Sequence, residues 1–160
     1  MTVDHKLRLE SGTEAEYVAQ IMQKFKIEHH ILVWKGKKPQ TGIEEAARIA
    51  RYNLIKNWCF AHNIKSLMVA HHQLDQAETF FMRLKRGSGL DGLCGMNPVS
   101  DYEGLKILRP FLQTNPQTLK DFLQKKQIKW VEDSSNQNED FLRVKIRKFL
   151  PLFTQKTGID

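Results

Sequence analysis

Apolar residues recur at helical spacing in several stretches of the chain, and helix-start signals precede three of them. The segments "SGTE", from Ser11, and "TGIE", from Thr41, match the capping box, in which a Ser or Thr and an acid three residues later satisfy the first backbone N–H groups of a helix. Asn115 before Pro116 is a third start, because proline suits the first helical position. The pattern predicts helices near 12–26, 41–62, 74–86 and 116–126, with a fifth over 140–150.

Short runs rich in Val, Ile and Leu lie between these helices and predict strands. The runs are "TVD" at 2–4, "HHILVW" at 29–34, "SLMVA" at 66–70, "KILR" at 106–109 and "KWVE" at 129–132. Strands that alternate with helices are typical of an α/β domain, a mostly parallel sheet flanked by helices. Ligands of such sheets bind beyond the carboxyl ends of the strands, so residues that follow a strand are the first site candidates.

The predicted helix over 74–86 carries both an apolar face and a pair of acids. Asp75 and Glu78 are three residues apart and therefore adjacent on the helix, on a strip beside the apolar face. They are either a solvated acidic edge, stabilised by the helix macrodipole, or a site for a divalent cation or an ammonium group beyond the strand at 66–70. The apolar face, which we expect to be buried, comprises Leu74, Ala77, Phe80, Phe81 and Leu84.

Histidines and glycines border the same helix. His71 and His72 precede it, and no third residue of zinc-ligand character has suitable spacing, so we interpret them as polar lining of a loop. The segment "RGSGLDGLCG", 86–95, follows it. Its glycines suit either a phosphate cradle built from backbone N–H groups or the end of a helix and a turn, and Arg86 beside them favours an anion.

The predicted helix over 41–62 presents two arginines beside its apolar stripe. Arg48 and Arg51 are three residues apart, and they form either an exposed basic edge or, near a phosphate, a fork for bidentate binding. The stripe that we expect to be buried comprises Ile43, Ala47, Ala50, Leu54, Trp58 and Ala61.

Composition narrows the class of partner. The length of 160 residues suits one domain, and 41% hydrophobic and 27% charged residues are ordinary globular values. A net charge of +7 favours an anionic partner such as nucleic acid, although a merely basic surface is an equal alternative at this point. Cys59 and Cys94 form no Cys-x-x-Cys motif. Neither a signal peptide nor an apolar window of about 20 residues is present, so we expect a cytoplasmic protein.

Five ordered blocks give the chain a specific resemblance. They read "VDHKLRLESGTEAEYV", "EEAARIARYNLI", "AHHQLDQAETFFMRLKRGSGLDGLCGM", "LRPFL" and "WVEDSSN". In order and spacing they resemble the catalytic domain of tRNA(Ile)-lysidine synthetases, which belong to the PP-loop ATPases, from Val3 to about Pro151. The resemblance implies an adenine-nucleotide alpha-hydrolase-like fold. It also implies an enzyme that uses ATP and Mg²⁺ to adenylate the wobble cytidine of tRNA(Ile) with a CAU anticodon, after which L-lysine displaces AMP.

The resemblance also implies roles for individual residues. Asp75 and Glu78 match an acidic pair needed for activity, which positions the lysine ammonium or a magnesium ion. Residues implied in substrate or ATP binding are Arg48, Arg51, His71, His72 and Arg143. Residues expected to contact tRNA, because the family fold would bring them toward the active-site side, are Lys85, Arg86, Lys145, Arg147 and Lys148.

The chain departs from the family pattern at several positions. Lys6 replaces the glycine usual after Val-Asp-His, Leu74 replaces an aspartate, and Val144 replaces an asparagine. The Ser-Gly-Gly-x-Asp-Ser loop that cradles the ATP pyrophosphate would lie upstream of Met1. We therefore expect a partial catalytic domain over 1–151 and the start of a linker over 152–160, inactive alone.

Two alternatives to lysidine formation remain. One is a related PP-loop tRNA thiolase, although such enzymes need a cysteine pattern that Cys59 and Cys94 do not supply. The other is a non-catalytic remnant that binds tRNA through its basic surface.

Overall fold

The computed structural model describes residues 1–131 and 141–158. The elements in chain order are β1 (Thr2–Asp4), α1 (Ser11–Lys24), β2 (Ile31–Val33), α2 (Ile43–Ala61), β3 (Ser66–Met68), α3 (Gln73–Lys85), α4 (Leu90–Leu93), β4 (Val99–Tyr102), β5 (Leu105–Leu108), α5 (Pro116–Lys125) and α6 (Leu142–Thr157). The alternation of strands and helices through α3 confirms the α/β class.

The chain divides into two compact units, of which the first comprises residues 1–67 and 101–106. Strands β1 and β2 pair in parallel, with Val3 opposite Leu32. Helix α1 packs against both strands and helix α2 packs against both as well. Parallel pairing requires a crossover connection, and α1 is that crossover, so this unit contains the expected β-α-β arrangement.

The second unit comprises residues 68–100 and 107–160. Its principal helix pair is α3 and α6. The ring of Phe81 meets Phe149 and Phe153 edge-on, at centroid distances of 5.9 and 5.6 Å, and Val144 and Ile146 of α6 are buried. Apolar contacts therefore hold α6 along α3. This packing determines which side chains the charged residues of α6 can contact.

Strands β3, β5 and β4 form a sheet in that order. A two-residue connection joins β4 to β5, and both of its residues, Glu103 and Gly104, have positive φ, 50° and 87°. Positive φ at both positions characterises the tight hairpin turn whose twist matches that of the strands. Strand β4 was missed by the sequence pattern because two of its four residues, Ser100 and Asp101, are polar.

All five predicted helices and three of the predicted strands differ from the structure at one or both ends, and one predicted strand is wrong. The run at 129–132 was predicted as a strand, but residues 129–131 have no strand structure, and residue 132 lies outside the described residues. The fifth helix continues through Pro151 to Thr157 rather than ending at 150, and residue 140 again lies outside the described residues. The short helix α4 was not predicted.

Neither predicted capping box forms. Helix α1 begins with Ser11 inside the helix, and the Ser11 hydroxyl donates instead to Asp4 Oδ1 at 2.7 Å. Helix α2 begins after Gly42, which adopts a left-handed conformation with a φ of 64°. Glycine has no side chain, so no side-chain hydrogen bond caps this helix. The third start is confirmed, since the Asn115 side chain accepts the Gln117 N–H at 2.9 Å.

The buried stripe of α2 differs from the predicted one. Tyr52, Ile55 and Cys59 are the buried residues of this helix, whereas Ala61, expected inside, is exposed. Positions 52, 55 and 59 are spaced as one helical face, which carries the large side chains of Tyr52 and Ile55. The small alanines near the start of the helix contribute little area to either face.

The two cysteines should react at very different rates. Cys59 is 1% exposed and Cys94 is exposed, and burial raises the pKa of the Cys59 thiol above its usual value. Because the thiolate is the nucleophile, we expect iodoacetamide to alkylate Cys94 within minutes and Cys59 only after unfolding. Mass spectrometry with and without urea measures this. Equal labelling of both thiols in the native protein would contradict the buried position of Cys59.

Within the described residues, no helix is both long enough and apolar enough to cross a membrane.

Candidate active site

Helix α3 starts directly beyond the carboxyl end of β3. The Val69 N–H donates to the Leu108 carbonyl at 2.9 Å and the Gln73 N–H donates to the Thr114 carbonyl at 3.1 Å, so backbone bonds hold the connection on both sides. The first turn of α3 then carries Asp75, and the second carries Glu78. The acidic pair therefore occupies the position where open α/β sheets bind their ligands.

Glu78 is held by two arginines of α6. Its side chain has an exposed fraction of 0%. Arg143 Nε donates to Oε2, while Arg147 donates to Oε1 from both Nε and Nη2, each at 2.7 Å. Arg143 and Arg147 are four residues apart and so lie on the same side of α6. The two arginines thus make charge-assisted contacts with both oxygens of one buried carboxylate.

This arrangement corrects the prediction for the face of α3 that is buried. Glu78 was placed on a strip beside the apolar face, yet it is the most buried residue of the helix, while Phe80 and Leu84 of the expected apolar face are exposed. The physical reason lies in α6, which brings two cations to a carboxylate that would otherwise be too costly to remove from water. The helical wheel contains no information on that partner.

Asp75 has a different environment from Glu78. Its side chain is 15% exposed. Oδ2 accepts the His72 backbone N–H at 2.9 Å and lies 3.3 Å from His72 Nδ1, whereas Oδ1 lies 3.6 Å from Arg143 Nη2. Arg143 therefore contacts both Asp75 and Glu78, and its side chain remains 46% exposed. Asp75 and Arg143 together offer a negative and a positive group that solvent can reach.

The acidic pair does not fit a magnesium ion. Both Glu78 oxygens accept hydrogen bonds from arginine, and Mg²⁺ would have to displace those cations to gain an octahedral set of oxygen ligands. Among residues 1–131 and 141–158, no three His, Cys, Asp or Glu side chains are grouped closely enough to hold a metal.

The glycine-rich segment ends α3 and turns the chain. Gly87 has a φ of 73° and follows the helix, and the Ser88 N–H donates back to the Arg83 carbonyl at 3.1 Å. Arg83 Nη1 in turn donates to the carbonyls of Gly92 at 2.6 Å and Gly95 at 2.8 Å. The carbonyl oxygens, rather than free N–H groups, thus face the helix, which favours the turn over a phosphate cradle.

Gln76 fixes the end of that segment. Its amide exchanges two hydrogen bonds with the Met96 backbone, at 2.9 and 2.6 Å. A Cβ on Gly95, whose φ is 74°, would lie 2.8 Å from Gln76 Oε1. The sequence pattern did not single out Gln76 or Arg83, although their spacing of seven residues, two helical turns, was a signal that α3 has a third occupied side.

The arginines of α2 lie in the first unit. Arg48 and Arg51 both approach the ring of Tyr52, with guanidinium carbons 5.3 and 5.6 Å from its centroid. The pKa of His5 is lowered, first by burial and then by the positive charge of Arg51. Trp34 meets His5 edge-on at 5.9 Å. His5 directly follows β1 and Trp34 directly follows β2, so this cluster includes the first residue beyond each strand.

Lys6 explains how the chain tolerates its loss of the usual glycine. Its φ is 52°, so the backbone retains the left-handed conformation that glycine adopts most readily. The buried Asp4 carboxylate accepts the Lys6 N–H at 2.9 Å and pairs with Lys6 Nζ at 2.9 Å. These contacts and the Ser11 hydroxyl hold the pKa of Asp4 below its usual value despite burial, which acts in the opposite direction.

The expected tRNA-binding residues fall into two groups. Lys85, Arg86, Lys145 and Lys148 are exposed. Arg147 instead binds the buried Glu78, so its guanidinium is engaged inside the second unit. Of the residues predicted for substrate or ATP, the structure brings His72 and Arg143 to Asp75, and His71 lies half-buried in the loop before α3.

The parallel β1–α1–β2 arrangement, with charged residues beyond the strand ends, defines an α/β domain of the class that binds ligands at the carboxyl ends of its strands. The sequence matches the PP-loop domain family over residues 1–152. This match covers nearly the whole chain, and the chain belongs to that family.

Two relatives that are similar to the chain carry the same name. The chain is 41% identical over 150 residues to a tRNA(Ile)-lysidine synthase of Orientia tsutsugamushi, covering 94% of this chain and 34% of the relative. It is 41% identical over 154 residues to that of Zymomonas mobilis, covering 94% and 47%. The chain therefore spans about a third to a half of the length of these relatives.

A solved structure shares the fold at low identity. The U34-tRNA thiolase NcsA from Methanococcus maripaludis, solved with its [4Fe-4S] cluster, superposes with a TM-score of 0.76 at 10% identity. The superposition covers 96% of this chain and 55% of that one. At this identity the likeness shows the fold alone.

Proposed function

We propose that this chain is the catalytic part of an enzyme that modifies tRNA(Ile), joining L-lysine to its wobble cytidine with ATP to form lysidine. The observation that carries the proposal is the group formed by Asp75, Arg143 and the buried Glu78 beyond β3, in a chain about 40% identical to proteins named tRNA(Ile)-lysidine synthase. The cytidine accepts the adenylyl group with release of pyrophosphate, and the amine of lysine then displaces AMP.

Asp75 and Arg143 suit the two charges of this reaction. Asp75 is a carboxylate that solvent reaches, and it can hold an ammonium group and accept its proton as the amine becomes a nucleophile. Arg143 is the half-exposed cation beside it, suited to an anionic phosphate or carboxylate. Glu78, enclosed by arginines, orients Arg143 and does not itself meet the substrate.

The remaining predicted residues take supporting roles in this proposal. Arg48 and Arg51 would bind ATP phosphate. His71 and His72 would line the entrance to Asp75. Mg²⁺ would accompany ATP, with ligands other than the Asp75 and Glu78 pair. The tRNA contacts would come from exposed cations, namely Lys85, Arg86, Lys145 and Lys148.

The proposal also covers the bounds of the catalytic portion, the cellular compartment and the need for a PP-loop segment. Residues 1–151 would be the catalytic portion, whereas residues 152–157, predicted as the start of a linker, continue α6 and pack through Phe153 against Phe81. An enzyme that modifies tRNA with ATP would act in the cytoplasm. A PP-loop segment, Ser-Gly-Gly-x-Asp-Ser, would be needed for pyrophosphate binding.

The proposal predicts that the 160-residue chain alone forms no lysidine and that a fusion carrying a PP-loop strand and loop before Met1 does. Loss of preorganised backbone donors of this kind costs about 10²–10³ in rate for a single donor. Incubate both proteins with ATP, Mg²⁺, L-lysine and tRNA(Ile), and digest the RNA for mass spectrometry.

Each outcome of that assay has a distinct meaning. Lysidine from the fusion supports the proposal. Thiolated uridine formed in the presence of a sulfur donor would support the thiolase alternative, which is the activity named for the solved structure of similar fold. Retention of tRNA with neither product, even in the fusion, would support the non-catalytic alternative. Lysidine from the isolated chain at the rate of the fusion would contradict the need for a PP-loop segment.

A further inference from the structure

Lys6 holds a backbone conformation that lysine rarely adopts. Its φ of 52° lies in the left-handed region, which glycine enters readily and other residues enter at a cost. The other non-glycine residues with positive φ have a local reason for it: one lies in the hairpin turn, Glu103, and three follow the C-caps of helices, namely Lys26, Asn63 and Gln127. Lys6 instead follows a strand, β1. Because such conformations concentrate at functional sites, the Lys6 side chain is a candidate for a functional role.

A buried carboxylate fixes the position of the Lys6 ammonium. The Asp4 side chain is 2% exposed, and its Oδ2 lies 2.9 Å from Lys6 Nζ. Asp4 in turn is held through Oδ1, which accepts the Lys6 N–H at 2.9 Å and the Ser11 hydroxyl at 2.7 Å. A Cβ on Gly12 would lie 3.1 Å from Nζ, so the glycine leaves room for the ammonium. Lys6 Nζ is therefore anchored, unlike the ammonium of an ordinary surface lysine.

Neutralisation of Asp4 is the simplest role for Lys6, and it does not account for the exposure of the side chain. The Lys6 side chain is 56% exposed, and an ion pair so open to water contributes little to stability. Asp4 already accepts two other hydrogen bonds, from the Lys6 backbone and from Ser11. An ammonium group has three N–H donors, and the contact with Asp4 Oδ2 uses one of them. The others lie beyond the carboxyl end of β1, where α/β sheets bind their ligands.

The charges around the next residue, His5, select an anionic acceptor. The pKa of His5 is lowered first by burial and then by the positive charges of Arg51 and Lys38, while the negative charge of Asp4 opposes them. A lowered pKa keeps His5 neutral at pH 7. Together with Lys6, the charged groups at this strand end are therefore predominantly positive. A polyphosphate, which carries several negative charges, matches such a group better than a single carboxylate does.

We propose that Lys6 Nζ binds a phosphate group of a nucleotide polyphosphate, with Asp4 as the residue that orients the ammonium. The proposal rests on the proposed function in that it takes ATP as the nucleotide. It deepens that function by adding to Arg48 and Arg51 a phosphate contact at a position where related sequences usually carry glycine. An RNA backbone is the other source of phosphate, and the test separates the two.

The first test follows acetylation of individual lysines in the 160-residue chain. N-hydroxysuccinimidyl acetate is added in limiting amount with and without ATP, and peptide mass spectrometry gives the rate at each lysine. At an ATP concentration about ten times the Kd, the rate at Lys6 should fall about tenfold, because only the unliganded fraction reacts. Lys26 is the matched control, since it is exposed and shares the left-handed conformation, with a φ of 55°. Its rate should not change.

Other ligands in the same assay show which group protects Lys6. Pyrophosphate should protect it as ATP does, and adenosine should not. Equal protection by adenosine would mean that no phosphate contact is involved and would overturn the proposal. Protection by tRNA without protection by ATP would assign the ammonium to RNA phosphate and overturn the nucleotide assignment. The proposal also fails if none of these ligands slows acetylation of Lys6.

Two substitutions separate phosphate binding from a structural role. Lys6→Gln removes the charge, and Lys6→Gly removes the side chain while suiting the left-handed backbone. Both should raise the Kd for ATP about tenfold in a phosphorus NMR titration, the effect of losing one charge-assisted hydrogen bond. Neither should lower the urea midpoint of unfolding, because the Asp4 pair is so exposed on its lysine side. Lys26→Gln should change neither quantity.

The variants can contradict the proposal in two ways. A lowered urea midpoint with unchanged ATP affinity in both Lys6 variants would reduce Lys6 to a partner of Asp4. An equal loss of affinity in Lys26→Gln would reduce the effect to diffuse charge. Lysidine is not the readout, so failure of the lysidine assay contradicts the proposed function, whereas failure of these measurements contradicts only the phosphate contact of Lys6.

Discussion

Replacing Glu78 with alanine should lower the free energy of unfolding by about 2–4 kcal/mol. The substitution leaves Arg143 and Arg147 without the carboxylate that both bind. Removing one partner of a fully buried pair costs about 3–5 kcal/mol, and the partial exposure of both arginines reduces that figure through solvent screening. Urea denaturation followed by circular dichroism measures the change. The loss should accompany separation of α6 from α3, detectable as faster amide exchange in residues 142–157.

A control isolates the contribution of burial to this effect. Glu14 pairs with Arg8 at 2.8 Å, with both side chains more than a quarter exposed, so Glu14→Ala should cost no more than about 1 kcal/mol. Glu78→Gln, which keeps the shape and one acceptor oxygen, should fall between the two. A Glu78→Ala protein as stable as Glu14→Ala would mean that the carboxylate is solvated in solution and that the acidic-edge interpretation is correct.

Replacing Asp75 with asparagine should reduce lysidine formation by about 10²–10³-fold while leaving the fold intact. This effect is the size expected when one preorganised electrostatic group is lost from an active site. Asparagine retains an oxygen that can accept the His72 N–H, so the change in stability should stay below about 1 kcal/mol, the usual range for a charge at a helix N-terminus. The assay uses the fusion that carries a PP-loop segment.

Asp91→Asn is the matched control for this variant. Asp91 is an exposed acid in the first turn of α4, and its substitution should change neither turnover nor stability. Turnover of the Asp75→Asn protein within twofold of the parent would exclude a role for Asp75 in the reaction. Unfolding of that protein would instead assign Asp75 a structural role like that of Glu78.

The two acids therefore differ in what their variants should do, although the sequence pattern treats them alike. Both are acids near the start of one helix, three residues apart, and periodicity assigned both to the same strip beside the apolar face. The structure separates them by their neighbours. Glu78 lies on the side of α3 against which α6 packs. Asp75 lies one turn earlier, within 3.6 Å of the Arg143 guanidinium. One substitution should therefore affect mainly stability, and the other mainly turnover.

Sequence alone determined the class of the fold and the position of the site along the chain. Short apolar runs alternating with amphipathic helices need only local spacing to be recognised, and they located β1, β2, β3 and β5 and the five longer helices. The placement of Asp75 and Glu78 beyond β3 followed from the same local reading. The motif order then indicated the PP-loop family, which the match over residues 1–152 confirms.

Tertiary structure decided which of these residues are buried and what each one contacts. Contacts between Glu78 and Arg143, 65 positions apart, depend on how α6 packs along α3, and no local pattern records that packing. Ser11 likewise donates to Asp4 rather than capping its own helix, because β1 brings the carboxylate within reach. A side chain's environment is the sum of its neighbours in space, so the sequence named the charged residues, and only the fold determined which of them neutralise one another.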